Sequence, residues 1–131
     1  MNKKLFRDTK QRHAIKRALD SAGRPLGPKE ILDLASKEVP NLGIATVYRN
    51  IKTMVEKGEL DTVDLPGQAP RYQPPSDRVP HLFIDEKNDS VYNIEPNLDG
   101  FDLQLPENFE IDRFQIIAYG RHLKSKRKAT R

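Results

Sequence analysis

The stretch Gly43-Ile44-Ala45-Thr46-Val47-Tyr48-Arg49-Asn50-Ile51 decides how this chain folds. Val47, Ile51, Met54 and Val55 recur at helical spacing and predict a helix over 44–57 with one apolar stripe turned inward. Gly58 stops it in the position that favours a left-handed residue. The other face then presents Thr46, Tyr48, Arg49, Lys52 and Thr53. An amphipathic helix with a ring and two cations outside needs partners on its inner side, and the flanking sequence supplies them.

Upstream, Thr9 is placed to cap a helix over 10–22, with Ile15, Ala18, Leu19 and Ala22 on one face and Gly23 at its end. Gly27-Pro28 opens a second helix, with proline at the first helical position and Glu30 in the first turn. It runs to about Glu38, burying Ile31, Leu34 and Ala35, and the segment 39–43 breaks it. Downstream, the period changes to two. Leu60, Thr62 and Asp64 alternate with Asp61, Val63 and Leu65, and Pro66-Gly67 fits the centre of a type II turn. Arg71-Tyr72-Gln73 returns as a short partner strand. Three helices and a two-stranded hairpin make a winged helix-turn-helix domain over 1–75, and Pro74-Pro75-Ser76-Asp77 reads as a stiff linker.

Residues 76–120 read as a small antiparallel domain, making the chain α+β. Short strands are predicted over 81–85, 90–94 and 109–119, with a polar turn at 86–89. Leu98, Phe101, Leu103 and Leu105 could support a short helix between the last two strands. Three strands alone bury too little apolar surface. Pairing with a second copy would supply the missing burial, so a homodimer is expected, with Val91, Phe109 and Ile111 in or near its core. The tail 121–131 is expected to be a disordered arm, with a nucleic-acid or partner role for it left open.

Charge follows the same division. Residues 1–75 carry 14 Lys+Arg against 9 Asp+Glu, residues 76–120 carry 3 against 10, and residues 121–131 carry 6 against none. A basic half suits a polyanion and an acidic half suits protein or solvent, although charge alone serves a solvated surface equally well. The chain has no Cys, which excludes disulfides, thiolate zinc sites and iron–sulfur clusters. The basic start lacks the apolar run of a signal peptide, and no stretch reaches the roughly 18 apolar residues of a membrane span. A cytoplasmic protein is expected. No Cys nucleophile, G-x-S-x-G turn or phosphate loop points to an enzyme, and no cofactor is expected.

Taken together, residues 9–72 resemble the ferric uptake regulator family. Thr9-x-Gln11-Arg12, Pro28-x-Glu30-Ile31, Gly43 to Ile51, Glu56-Lys57-Gly58-Glu59-Leu60 and Arg71-Tyr72 carry the resemblance. The second half follows the family in outline, at His81-Leu82-Phe83-Ile84 and in the Tyr119-Gly120 ending. The resemblance implies a DNA-binding transcriptional regulator, usually a repressor, acting as a homodimer on inverted-repeat operators in double-stranded DNA. Helix 44–57 would enter the major groove. Tyr48 offers a ring to thymine methyls, Arg49 and Lys52 suit guanine edges or phosphates, and Thr46 at the helix start suits phosphate. By the family pattern Tyr48 and Arg49 match base-contacting positions, Arg7 a minor-groove position and Arg12 a backbone contact.

Family members typically sense a metal, and here the resemblance fails. Pro25, Gln73 and Phe114 stand at expected ligand positions, Ile84 and Lys87 stand at the first cysteine pair, and His81 is the one recognisable survivor. One imidazole cannot hold a divalent ion tightly, so His81 reads as a surface or interface residue. The carboxylates at 85–89 read as a solvated turn. A metal-independent family member is expected. The alternative is a winged-helix interaction module or adaptor that does not bind DNA sequence-specifically.

Overall fold

Ala14, Ile15, Ala18 and Leu19 form one buried stripe on the first helix, and the rest of the bundle packs against it. The computed structural model describes residues 3–123. Helix α1 spans Lys3–Ala22 and ends at Gly23, whose φ of +63° is the left-handed conformation expected after a helix. Thr9 lies inside α1, which corrects its expected role as the cap. Residues 3–8 contain neither Gly nor Pro, so nothing stops the helix from continuing upstream.

Helix α2 (Pro28–Ala35) has Pro28 in its first turn, and Glu30 accepts the Gly27 N–H at 3.0 Å. It stops before Glu38. The Ser36 N–H closes the last turn on the Leu32 carbonyl at 2.9 Å, and tight turns carry the chain to Pro40. Helix α3 spans Ile44–Glu56 and buries Val47, Ile51 and Met54. Fully burying such a side chain contributes about 1.5–3 kcal/mol, so this stripe fixes the rotation of α3 about its axis.

The wing consists of β1 (Asp61–Leu65) and antiparallel β2 (Gln68–Gln73), joined at Gly67 with φ +70°. β2 begins earlier than expected. The register is regular from Asp61↔Gln73 to Val63↔Arg71 and slips before Leu65↔Gln68, which accommodates Pro70 and its missing N–H. Buried Leu26 exchanges two backbone hydrogen bonds with Tyr72, at 2.9 and 2.8 Å, and ties the wing to the loop before α2. An Arg24–Glu30 ion pair at 2.6 Å closes the same corner.

The chain divides into two compact units, the first ending at Asp77 and the second beginning at Arg78. The segment expected as a linker is tied to the first unit, with the Ser76 N–H donating to the Asp61 carboxylate at 2.9 Å. In the second unit β3 (Leu82–Asp85) is central, β4 (Val91–Asn93) is antiparallel to it, and β5 (Ile117–Gly120) runs parallel on the other side. The sheet is therefore mixed, which corrects the expectation of antiparallel pairing throughout. The chain leaves β4 beside Leu82 and enters β5 beside Leu82, so β5 must run in the direction of β3. Of the strand expected over 109–119 only the end forms, and 94–116 contains neither helix nor strand. Leu82, Ile84 and Val91 form the buried centre of this unit. Residues 124–131, most of the expected disordered arm, lie outside the described residues.

Candidate nucleic-acid interface

At about 100° per residue, burial of Val47, Ile51 and Met54 turns Arg49 and Lys52 to the opposite side of α3. Both are exposed. Tyr48 sits on one flank and is 55% exposed, and Thr46 sits half-buried on the other. Side-chain bonds brace this surface along the helix. Arg49 Nη2 donates to Thr46 Oγ1 at 3.3 Å, Asn50 Nδ2 donates to the Thr46 carbonyl at 2.9 Å, and Thr53 Oγ1 donates to the Arg49 carbonyl at 3.1 Å. Gly43 precedes the first turn with extended backbone and no side-chain cap, leaving that helix end open on one side.

A groove separates α3 from the first half of α1. Arg7 and Lys4 line one wall, Thr46 and Arg49 the other, with Asp8 as an acidic member. Arg12 joins Arg49, Asn50 and Thr53 in a neighbouring hollow. Four of the six residues expected to meet DNA thus border two adjoining hollows, Arg7 and Thr46 the first, Arg12 the second and Arg49 both. Tyr48 and Lys52 border neither hollow and face outward from the other side of α3. Lys4, Gln11 and Asn50 are surroundings that the sequence reading missed. Their signal was legible: Lys4, Arg7 and Gln11 follow helical spacing once α1 begins at Lys3.

Tyr48 also adjoins the wing electrostatically. Burial holds the Tyr72 phenol above its ordinary range, and Tyr48 and Asp64 add to that shift. In the second unit the three expected pairing residues separate. Val91 is fully buried by its own chain, whereas Phe109 and Ile111 are 70% and 41% exposed.

The expected metal-ligand positions do not form a donor set. Pro25 is buried and Gln73 nearly so. His81 Nδ1 accepts the Ile116 N–H at 3.0 Å, and its ring packs against Phe114 with centroids 5.7 Å apart. That bond engages one of the two imidazole nitrogens. Among the described residues no three His, Cys, Asp or Glu groups converge in a way that could hold a metal ion. These residues do not fit a divalent transition metal, which needs several nitrogen, sulfur or carboxylate ligands.

A three-helix bundle with a hairpin wing, a cation-bearing second helix of the helix-turn-helix and a separate small sheet define a two-lobed winged-helix protein, an architecture of DNA-binding transcription regulators. The sequence profile of the Ferric uptake regulator family matches residues 3–119, and the chain belongs to that family. Its fold is similar to a zinc-bound manganese uptake regulator, with a TM-score of 0.71 and 20% identity over 86% of this chain and 88% of that one. It is also similar to the ferric uptake regulator of Francisella tularensis with iron (TM-score 0.63, 19% identity, 86% of this chain and 88% of that one). The ferric uptake regulator of Vibrio cholerae, at 13% identity, covers the same shares with a TM-score of 0.62. Among curated proteins none matches this chain in sequence. Among the described residues no helix is long and apolar enough to cross a membrane.

Proposed function

We propose that this protein is a cytoplasmic transcriptional repressor, not an enzyme, that binds inverted-repeat operators as a homodimer and needs no metal to do so. The observation that carries this reading is the pair of adjoining hollows that sets Arg7 and Arg12 of α1 beside Thr46 and Arg49 of α3. It places cations from two helices where a phosphate backbone can pass while the outer face of α3 meets base edges. In this arrangement Tyr48 contacts thymine methyls, and Arg49 and Lys52 contact guanine edges or phosphates. Thr46 holds a phosphate at the helix start, Arg12 a second one, and Arg7 reaches a minor groove. Exposed Phe109 and Ile111 supply the pairing surface, with buried Val91 supporting the sheet beneath.

The names of the structural relatives include bound zinc and iron. The residues at the corresponding positions here are a proline, a glutamine, a phenylalanine and one engaged histidine, and this donor set supports metal-free binding. The deciding experiment is selection of bound DNA from a random pool with and without added Fe²⁺, Mn²⁺ or Zn²⁺, followed by salt titration on the selected site. The expected result is one operator under both conditions and a logarithmic salt slope on the order of −5 or steeper per dimer. Stoichiometric, submicromolar metal binding that tightens operator affinity would overturn metal independence. Salt-insensitive or absent DNA binding would favour an interaction module.

A further inference from the structure

The second unit contains an open pocket of about 680 Å³ that the DNA-binding reading does not use. The volume lies within the range of small-molecule sites, roughly 300–1,000 Å³. Aromatic rings line it. Phe101 and Phe114 stack with centroids 5.4 Å apart at 20°, and His81 packs tilted against Phe114 with centroids 5.7 Å apart. The charged residues at its edge are one-sided, with Asp102, Glu110 and Asp112 against Arg113 alone. The surrounding segment repeats this bias, since residues 76–120 carry 3 basic and 10 acidic groups.

We propose that this pocket binds a small lipophilic cation, an apolar or aromatic body carrying one positive charge. Aromatic faces attract cations through their quadrupole, and the three carboxylates add a negative field at the mouth. An anion of the same shape meets that field as repulsion. A second copy of the chain matches this field less well, since it brings three more carboxylates to the same surface. Phe109 and Ile111 also line the pocket, so the site shares a rim with the proposed pairing surface. DNA binding is not required, and either property can fail alone.

The test is calorimetric titration of the full chain with tetraphenylphosphonium and with tetraphenylborate, ions of nearly the same shape and opposite charge. The expected result is saturable binding of one phosphonium per chain and much weaker binding of the borate. Phe101→Ala should weaken phosphonium binding about tenfold, the scale of one desolvated cation–π contact. A combined Asp102→Asn, Glu110→Gln, Asp112→Asn variant should weaken it by a similar factor and flatten its salt dependence. These three carboxylates are exposed, so this variant remains informative if an aromatic substitution disturbs folding. Equal affinity for both ions, no saturable heat, or unchanged affinity in the carboxylate variant would overturn the proposal. So would sedimentation showing that Phe101→Asp converts a dimer into a monomer while wild type binds no phosphonium, because the pocket would then belong to the contact between copies.

Discussion

Arg49 shows how one residue can be both held and available. Its bond to Thr46 Oγ1 restrains the guanidinium along the helix while several N–H donors stay unused by that bond. Tyr48 has the opposite character, a half-exposed ring on the flank toward Tyr72. Tyr48→Ala should cost about 1–3 kcal/mol at the specific operator while sparing non-specific affinity, as fluorescence anisotropy on matched and scrambled duplexes would show. Equal loss on both duplexes would make Tyr48 a packing residue. Tyr72 gives a pH prediction. Its phenol is held above its ordinary range by burial first, with Tyr48 and Asp64 adding to it, so the folded state keeps the proton that the unfolded chain releases near pH 10. The contribution is therefore complete below that pH and lost as pH rises through the folded value. Urea midpoints measured from pH 8 to 11 should fall less steeply for Tyr72→Phe than for wild type.

At the scale of elements, α3 has one buried face and one face proposed to read DNA, and mutation can separate the two. Met54 is fully buried against the bundle and remote from the reading face. Met54→Ala should lower unfolding free energy by about 2–5 kcal/mol, through lost burial and the cavity left behind. At temperatures where the variant stays folded, its operator affinity should match wild type. Chemical denaturation followed by circular dichroism, with anisotropy at low temperature, checks both halves. The exposed face of α3 was legible from the 44–57 periodicity, and so was the wing turn at Pro66-Gly67. The start of α1 was not. A threonine before an amphipathic run looks like a cap, yet capping is worth only about 1 kcal/mol and yields when nothing breaks the helix upstream. The direction of β5 was equally hidden, because β-period alternation in 109–119 carries no information about which neighbour a strand will find.

For the whole molecule, charge is divided by unit more sharply than the net of +4 suggests. The basic first unit carries the groove, and the acidic second unit carries exposed Phe109 and Ile111. Exposed apolar surface of this kind beside a small sheet favours pairing between copies. Light scattering at micromolar concentration should report a dimer, and Phe109→Asp should shift it to a monomer with weaker operator binding, since each half-site then loses its tethered neighbour. A wild-type monomer would contradict the pairing proposed here. The residues of α3 proposed to face DNA could be named from sequence because one helix carries them all. The groove could not, because Arg7, Arg12 and Arg49 become neighbours only when α1 packs beside α3.

The sequence by itself determined the winged helix, through hydrophobic periods that switch from helical to alternating, and through Pro28, Gly58 and Pro66-Gly67 at the boundaries. It also determined that Pro25 and Phe114 bring no side-chain donor and Gln73 only a neutral amide, because chemical identity survives any fold. Tertiary structure alone decided that Val91 is buried within its own chain while Phe109 is exposed, and that β5 lies parallel to β3. It alone gathered His81, Phe101 and Phe114 into one aromatic cluster. These outcomes depend on contacts between residues distant in sequence, and local periodicity has no term for them.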